Sequence, residues 1–339
     1  MIYCNLSEEF DQSLHYIAMK SIGSCILLSF AFIIGIPGNI VVMWSIYGKM
    51  KNISVTMLLI GNLALADFHI LLFLPIWIYS FAVNEWIFGL VFCKILLYVI
   101  YTNLYVSVFL ITLLSIERFL AVFRPFDLQR WTRRRVFHKL TILIWITAAL
   151  LGVHSLPFYK QSQNEQPFQC ILHEYNSDTQ KVILLVLETC VGFLVPFCII
   201  IICYVYLWRK LKKMKFVGRR NSDKIIVIVV GTFVMCWIPH HIFNILTITS
   251  VFEGSCRLQG IADFGSSISG ALVFINSALN PIFYFYYAFR MKSPSNILKL
   301  KIFFEKIGGT ETEQKPSENA ENTTDKTNIN NNAVVVSNI

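Results

Sequence analysis

The stretch VTMLLIGNLALADFHILLFLPIWIYS, residues 55–80, decides the fold. Asp67 is the only charged side chain between Lys51 and Glu85. A helix that begins near Val55 rises about 1.5 Å per residue, so Asp67 is expected close to the middle of a bilayer. A carboxylate at that depth costs several kcal/mol unless polar groups meet it. We therefore expect polar partners for Asp67 on other segments.

The composition predicts a helical membrane protein. Charged residues make up 14% of the chain and hydrophobic residues 55%, with a mean hydropathy of +0.60; soluble domains carry about 25% charged residues. Seven charge-poor stretches are long enough to cross a bilayer: 22–47, 55–80, 92–116, 140–159, 182–208, 225–251 and 264–288. The expected fold is an all-α membrane protein, a seven-transmembrane helix bundle.

Basic residues set the orientation of the bundle. The loops at 48–54, 123–139 and 209–224, the tail after Phe289, and Arg118 together hold 24 of the 29 Lys and Arg residues. That side is predicted to be cytoplasmic, which gives a multi-pass plasma-membrane protein with an extracellular N-terminus. The same bias accounts for the net charge of +9, so no nucleic-acid partner is expected.

We expect four parts in the chain: an extracellular N-terminus at 1–20, the bundle at 21–288, an amphipathic helix 8 at 289–307, and a disordered tail at 308–339. Asn5 begins a glycosylation sequon on the outer side. Between 289 and 307, Phe, Leu and Ile alternate with Lys. This pattern is typical of a helix lying on the inner leaflet, with membrane lipid as its partner.

Polar residues on other predicted spans offer partners for Asp67. Carboxylate, Asn and Ser oxygens suit a small cation, and the cell exterior supplies sodium. Pro239 and Pro281 interrupt helices near that depth and predict hinges. The candidate partners of Asp67 are Asn103, Ser107, Asn276, Ser277 and Asn280.

Cysteines on the outer side are candidates for disulfides. They are Cys4, Cys93, Cys170 and Cys256. Four cysteines allow three pairings, and their positions alone do not choose between these pairings.

Motifs on all seven predicted spans point to one family. They are Gly38-Asn39, Leu63 to Asp67, Cys93 with Glu117-Arg118-Phe119, Trp145, Pro196 with Tyr204, Cys236-Trp237-Ile238-Pro239, and Asn280-Pro281-Ile282-Phe283-Tyr284. In this order they resemble the class A G-protein-coupled receptors, over about residues 20–305. The family usually has Asp-Arg-Tyr at residues 117–119.

The resemblance implies roles for these residues. Arg118 pairs with Glu117 at rest and meets the C-terminal helix of a heterotrimeric G protein in the active state, while Trp237 senses the ligand. The implied activation residues are Glu117, Arg118, Tyr204, Trp237, Pro239, Asn280, Pro281 and Tyr284. The implied sodium ligands at rest are Asp67, Asn103, Ser107, Asn276, Ser277 and Asn280. No other cofactor is expected.

The resemblance also bears on the outer cysteines and the tail. It implies a Cys93–Cys170 disulfide, which leaves Cys4–Cys256 as a hypothetical second bridge. Thr and Ser residues near acids in the tail are candidate sites for receptor kinases and for the arrestin that phosphorylation recruits.

Several stretches resemble the leukotriene B4 receptors and the neighbouring chemoattractant group more specifically. They include Ile36-Pro37-Gly38-Asn39, Tyr105-Val106-Ser107-Val108, Gly192-Phe193-Leu194-Val195-Pro196-Phe197 and Trp237-Ile238-Pro239-His240-His241. The expected function is therefore a cell-surface receptor for a lipid mediator of the leukotriene B4 type, acting through a Gi-like G protein in chemotaxis or inflammation. The candidate ligand-binding residues are Tyr101, Tyr105, Lys160, Glu188, His240, His241 and Asn244.

The ligand pocket leaves alternatives open. Ser266 stands where the leukotriene receptors are expected to carry an Arg. Glu188 lies eight residues before Pro196; it either accepts a hydrogen bond from a ligand hydroxyl or pairs with His240 or His241. Both histidines and both tyrosines are also plausible packing residues, and Lys160 a solvated loop charge.

Two other functions compete with the lipid receptor. One is a receptor for a chemoattractant peptide or chemokine-type agonist. The other is an ion-coupled transporter that uses Asp67 for ion passage, although the sequence shows no internal repeat of the kind many transporters have. An enzyme is not expected, because no hydrolytic triad, metal-ligand cluster or phosphate loop is recognisable.

Overall fold

The computed structural model describes residues 10–123, 130–156, 170, 177–213, 220–289 and 295–307. Within these ranges, all regular secondary structure is helical. The helices are α1 Phe10–Met43, α2 Val55–Leu71, α3 Leu74–Val83, α4 Leu90–Phe123, α5 Arg130–Gly152, α6 Asp178–Thr189, α7 Val195–Lys213, α8 Arg220–Glu253, α9 Cys256–Phe289 and α10 Asn296–Ile307. Two π-helical turns, Trp44–Gly48 and Cys190–Leu194, and a 3₁₀ turn, Val153–Ser155, join or extend them.

Seven of these helical segments are long and apolar enough to cross a membrane. They are Ser21–Gly48, Val55–Val83, Leu90–Phe123, Arg134–Ser155, Asp178–Lys210, Val227–Glu253 and Cys256–Phe289, called here the first to seventh spans. The predicted all-α bundle of seven spans with a short C-terminal helix is confirmed.

The second span, which decided the fold, is built from two helices. Ser54 caps the first: its backbone is extended and its Oγ accepts a hydrogen bond from the Met57 N–H at 3.2 Å. The helix breaks after Leu71, and Pro75 lies in the first turn of α3, where its missing N–H costs no hydrogen bond. Both helices belong to one candidate span, Val55–Val83, and Asp67 is fully buried.

A π-helical turn divides the fifth span into α6 and α7. The Val195 N–H donates to the Cys190 carbonyl, five residues back, so the turn holds one residue more than an α-helical turn. Glu188 and Thr189, just before the turn, are buried. The turn therefore sets the rotation at which these two polar side chains enter the bundle.

The first and seventh spans pack with their backbones close together. A Cβ atom placed on Gly38 would lie 2.7 Å from the Cβ of Pro281. Asn39 Nδ2 donates across the same contact to the Ser277 carbonyl at 3.1 Å. Because only glycine fits at residue 38, this contact holds the polar middle of the seventh span in place.

Helix α10 differs from its prediction in bounds and placement. It begins at Asn296 rather than 289, and Phe289 is instead the last residue of α9. Its apolar face was expected to lie on the inner leaflet, yet Phe303 and Phe304 are fully buried against the bundle. The ring of Tyr284 lies 6.4 Å and 6.1 Å from these two rings, and protein contacts replace lipid there.

Candidate functional site

A cavity opens between the second, third, fifth, sixth and seventh spans. Its lining is mostly aliphatic and aromatic, with polar groups at two places. It is lined by Ile70, Ile100, Tyr101, Asn103, Leu104, Ser107, Glu188, Trp237, His240, Gly270, Val273, Phe274, Asn276 and Ser277. The cavity therefore contains three of the predicted ligand residues and four of the predicted sodium ligands.

The first polar place is a cluster around Glu188. The His240 Nε2 atom lies 2.8 Å from Glu188 Oε1, and Asn244 Nδ2 donates to the same oxygen at 3.3 Å. Glu188 is 3% exposed and Asn244 1%. Of the pairings left open by the sequence, the structure has Glu188 with His240. Both side chains still line the cavity, so the pair is accessible to a ligand.

The remaining predicted ligand residues lie elsewhere. His241 stacks on Phe193 at 4.5 Å and on Trp237 at 5.9 Å, outside the cavity lining. Tyr105 is fully buried in the core of the third span. Asn244 does not line the cavity, but it donates a hydrogen bond to Glu188, which does. Lys160 lies outside the described residues. Both His241 and Tyr105 are thus placed as packing residues.

The second polar place surrounds Asp67. Its Oδ2 accepts a hydrogen bond from Asn280 Nδ2 at 2.9 Å. Asn103, Ser107, Asn276 and Ser277 line the adjoining floor of the cavity. Four buried oxygens have no hydrogen-bond partner among the residues that the structure describes: Asp67 Oδ1, Ser107 Oγ, Asn276 Oδ1 and Asn280 Oδ1.

Unsatisfied buried oxygens are costly, and they suit an oxygen-preferring cation. In the described ranges, the Asp67 site included, no group of three or more His, Cys, Asp or Glu side chains is placed to hold a metal ion. The donor set around Asp67, with one carboxylate and neutral oxygens, fits a monovalent cation such as sodium.

A third polar cluster lies at the cytoplasmic end of the third span. Arg118 Nε is 3.1 Å from Glu117 Oε2, and Arg118 Nη2 donates to the Thr56 hydroxyl. Thr56 in turn donates to Glu117 Oε2 at 3.2 Å. Arg118 Nη2 also donates to the Ile307 carbonyl at 3.0 Å. The arginine therefore joins the second span, the third span and α10.

The other predicted activation residues lie on the fifth, sixth and seventh spans. Trp237, 1% exposed, forms part of the cavity floor. Pro239 and Pro281 lie inside α8 and α9. Tyr284 is buried near α10, and Tyr204 packs against the core around the third span.

The outer face carries a disulfide. Cys93 and Cys170 are bonded, with their Cα atoms 5.8 Å apart, as the resemblance implied. Asn5 and Cys4 lie outside the described residues, so the glycosylation site and the Cys4–Cys256 bridge stay predictions.

The sequence family described as "7 transmembrane receptor (rhodopsin family)" matches residues 38–284. The chain belongs to this family. It is accordingly a rhodopsin-family G-protein-coupled receptor, a multi-pass membrane protein and not an enzyme, and it works with a G protein and an extracellular agonist.

Individual relatives of the receptor differ in the ligands in their names. Leukotriene B4 receptor 1 of Homo sapiens is 32% identical over 268 residues, which are 78% of this chain and 76% of that one. Type-1 angiotensin II receptor of Homo sapiens is 37% identical over 272 residues, 76% and 75% of the two chains. Chemerin-like receptor 2 of Mus musculus is 32% identical over 305 residues, 86% and 84%. The subgroup of the receptor is therefore open between lipid and peptide branches.

The sequence did not point to every residue of these clusters. Thr56 was missed as the bridge between Glu117 and Arg118, although Ser54 is a recognisable helix cap and Thr56 lies in the turn after it. Thr189 was missed as the partner of His241, whose Nδ1 lies 3.4 Å from the Thr189 hydroxyl. The Ile307 carbonyl carries no sequence signal at all.

Proposed function

We propose that the receptor responds to a lipid mediator of the leukotriene B4 type and signals through a Gi-like G protein in chemotaxis or inflammation. The observation that carries this proposal is the Glu188–His240 pair in the lining of a mostly apolar cavity whose other polar residues lie around Asp67. A fatty-acid derivative matches this lining, because its chain needs apolar surface and its hydroxyl groups need one hydrogen-bonding partner. The 32% identity to leukotriene B4 receptor 1 supports the same class.

The charges around the cavity predict how such a ligand is oriented. No Lys or Arg of the described ranges lines the cavity, and a carboxylate beside Glu188 meets a like charge. The acid group is therefore expected at the outer mouth, where Lys160 is the candidate partner. A hydroxyl on the chain is expected at Glu188 and His240.

A peptide agonist is the second candidate. The 37% identity to a type-1 angiotensin II receptor favours it. In this case a Lys, Arg or N-terminal amine of the peptide binds the Glu188 carboxylate. The two candidates thus differ in the ligand group that contacts Glu188: a neutral hydroxyl for the lipid and a cation for the peptide.

The resting state is proposed to hold a sodium ion. Asp67, Asn103, Ser107, Asn276, Ser277 and Asn280 would bind it, and the unsatisfied oxygens of this set support that assignment. The ion supplies positive charge to the buried carboxylate. Agonist and G protein favour the open form and the ion favours the closed form, which is a shift between two populations. The transporter alternative has lost its support, since the chain belongs to a receptor family.

A ligand screen tests the proposal. Cells expressing the receptor are exposed to leukotriene B4, other oxygenated fatty acids and chemoattractant peptides, with cAMP and calcium as readouts. A response to lipids supports the proposal. A response to a peptide, with none to leukotriene B4 at micromolar concentration, shows that the branch is wrong.

Variants then link the response to the cavity. Glu188→Gln removes the carboxylate that contacts His240 and is expected to lower agonist potency about tenfold, as loss of one charge-assisted hydrogen bond to a ligand does. Ile183→Ala is the matched control, because Ile183 lies on the same helix and is 59% exposed outside the bundle. Equal potency of the Glu188→Gln variant and the parent would remove Glu188 from the ligand site.

A further inference from the structure

The C-terminal end of α10 lies directly on Arg118. The Arg118 guanidinium donates to the carbonyl of Ile307, the last residue of the helix, at 3.0 Å. The Arg118 side chain is 11% exposed. A helix that rested only on the membrane surface would have no contact with this residue.

The chemistry of a helix end explains why the contact is favourable. The last four carbonyls of an α-helix have no partner within the helix, and they form the negative end of its dipole. A guanidinium satisfies one of these carbonyls and places a positive charge at that end. Glu117 and Thr56 therefore do not hold Arg118 alone, because α10 provides a third acceptor.

Apolar anchors fix α10 in this position. Phe303, Phe304 and Ile307 are at most 2% exposed. They pack with residues of the first, second and seventh spans, among them Ile46, Met57 and Tyr284. Since Tyr284 is an implied activation residue, α10 contacts two residues that activation is expected to move.

We propose that α10 is a tethered inhibitor, a segment of the chain that occupies the Arg118 site at rest and has to leave it before a G protein binds. This inference rests on the proposed G-protein coupling through Arg118. The helix and the C-terminal helix of the G protein compete for one arginine, so only one of them is bound at a time.

The composition of α10 gives the released helix a second place to bind. Lys299, Lys301 and Lys306 alternate with its apolar residues, and the inner leaflet carries anionic lipids. The released apolar face enters the lipid boundary instead of water. Release therefore costs little hydrophobic burial, and the two positions can be close in free energy, as a switch requires.

Amide hydrogen exchange tests docking without any signalling step. The receptor is placed in nanodiscs containing anionic lipid, and exchange is measured at residues 300–307. Arg118→Gln is expected to raise exchange at the end of α10. Unchanged exchange in this variant overturns the docking contact.

Adding nucleotide-free Gi heterotrimer to the parent receptor tests competition. We expect the complex to raise exchange at residues 300–307 about tenfold. A complex that forms with α10 still protected overturns the inference and leaves the proposed function intact. Failure of the heterotrimer to bind under any agonist overturns the proposed coupling, and the inhibitory role falls with it.

A variant pair supplies the functional readout. Phe303→Ala with Phe304→Ala is expected to raise agonist-free nucleotide exchange on the G protein about tenfold. Leu298→Ala, on the same helix but 39% exposed, is expected to behave as the parent. Equal rates in all three receptors overturn the inference. The heterotrimer experiment uses the parent receptor and decides the question even if the double variant fails to fold.

Discussion

Replacing Thr56 by valine is expected to activate the receptor without agonist. Thr56 is 2% exposed, and its hydroxyl accepts from Arg118 and donates to Glu117. Valine keeps the shape of the side chain and removes both hydrogen bonds. Because the active state is expected to withdraw Arg118 from this cluster, the substitution destabilises the resting state selectively.

The size of the effect follows from the two hydrogen bonds. A hydrogen bond to a charged group contributes about 1.5–3 kcal/mol. Since Arg118 keeps its contacts with Glu117 and Ile307, we take about 2 kcal/mol for the loss of both bonds together. About 1.4 kcal/mol is a factor of ten in population, so the equilibrium moves about 30-fold. A resting receptor that is about 1% active becomes about one-quarter active.

The assay is agonist-free nucleotide exchange on purified Gi, with parent, Thr56→Val and Thr56→Ser receptors at equal surface density. Serine retains the hydroxyl and is expected to stay near the parent rate. If valine and serine give the same basal rate as the parent, Thr56 does not hold the resting state, and our account of the Arg118 cluster is refuted.

Three further predictions concern the cavity, the ion and the packing of the bundle. His240→Phe should lower agonist potency about tenfold in a cAMP assay, whereas His241→Phe should preserve it because a phenyl ring retains the stacking; equal losses would contradict the placement of the two rings. Asp67→Asn should abolish the sodium dependence of agonist affinity in radioligand binding, and a persisting dependence would exclude this ion site. Gly38→Ala should lower the stability of the receptor by about 1–3 kcal/mol, seen as a lower melting temperature in detergent. Gly23→Ala is the control because a Cβ there meets no atom within 4 Å, and equal melting temperatures would show that the tight contact relaxes freely.

The spans were predictable because they depend on hydropathy, and their ends were not. The charge-poor stretch of the third span ends at residue 116, yet the helix continues to Phe123. Glu117 and Arg118 stop a hydropathy window, but they do not stop a helix. The break between α2 and α3 likewise carries only Pro75 as its signal, since the residues around it are apolar.

The sequence predicted the depth of the site residues in the bundle better than the direction in which each helix points their side chains. Glu188 was predicted to be a ligand-pocket residue, and it lines the cavity. The choice between His240 and His241 depended on which way each helix faces, and the π turn at Cys190–Leu194 shifts that angle. The contact of Arg118 with Ile307 joins a side chain to a backbone carbonyl 189 positions away, and no residue type marks such an acceptor.

The π turn at Cys190–Leu194 has a practical consequence for protein engineering. Each residue of a helix turns the chain by about 100°, so deleting one residue from this turn would rotate α6 by about that angle while α7 keeps its orientation. A chimeric receptor that takes its ligand-facing segments from another family member therefore needs its fifth-span junction after Leu194. A junction placed before Cys190 would combine the α6 of one receptor with the turn of another. If the two turns differ in length, α6 would be rotated, and residues that should face the cavity, such as Glu188, would face lipid.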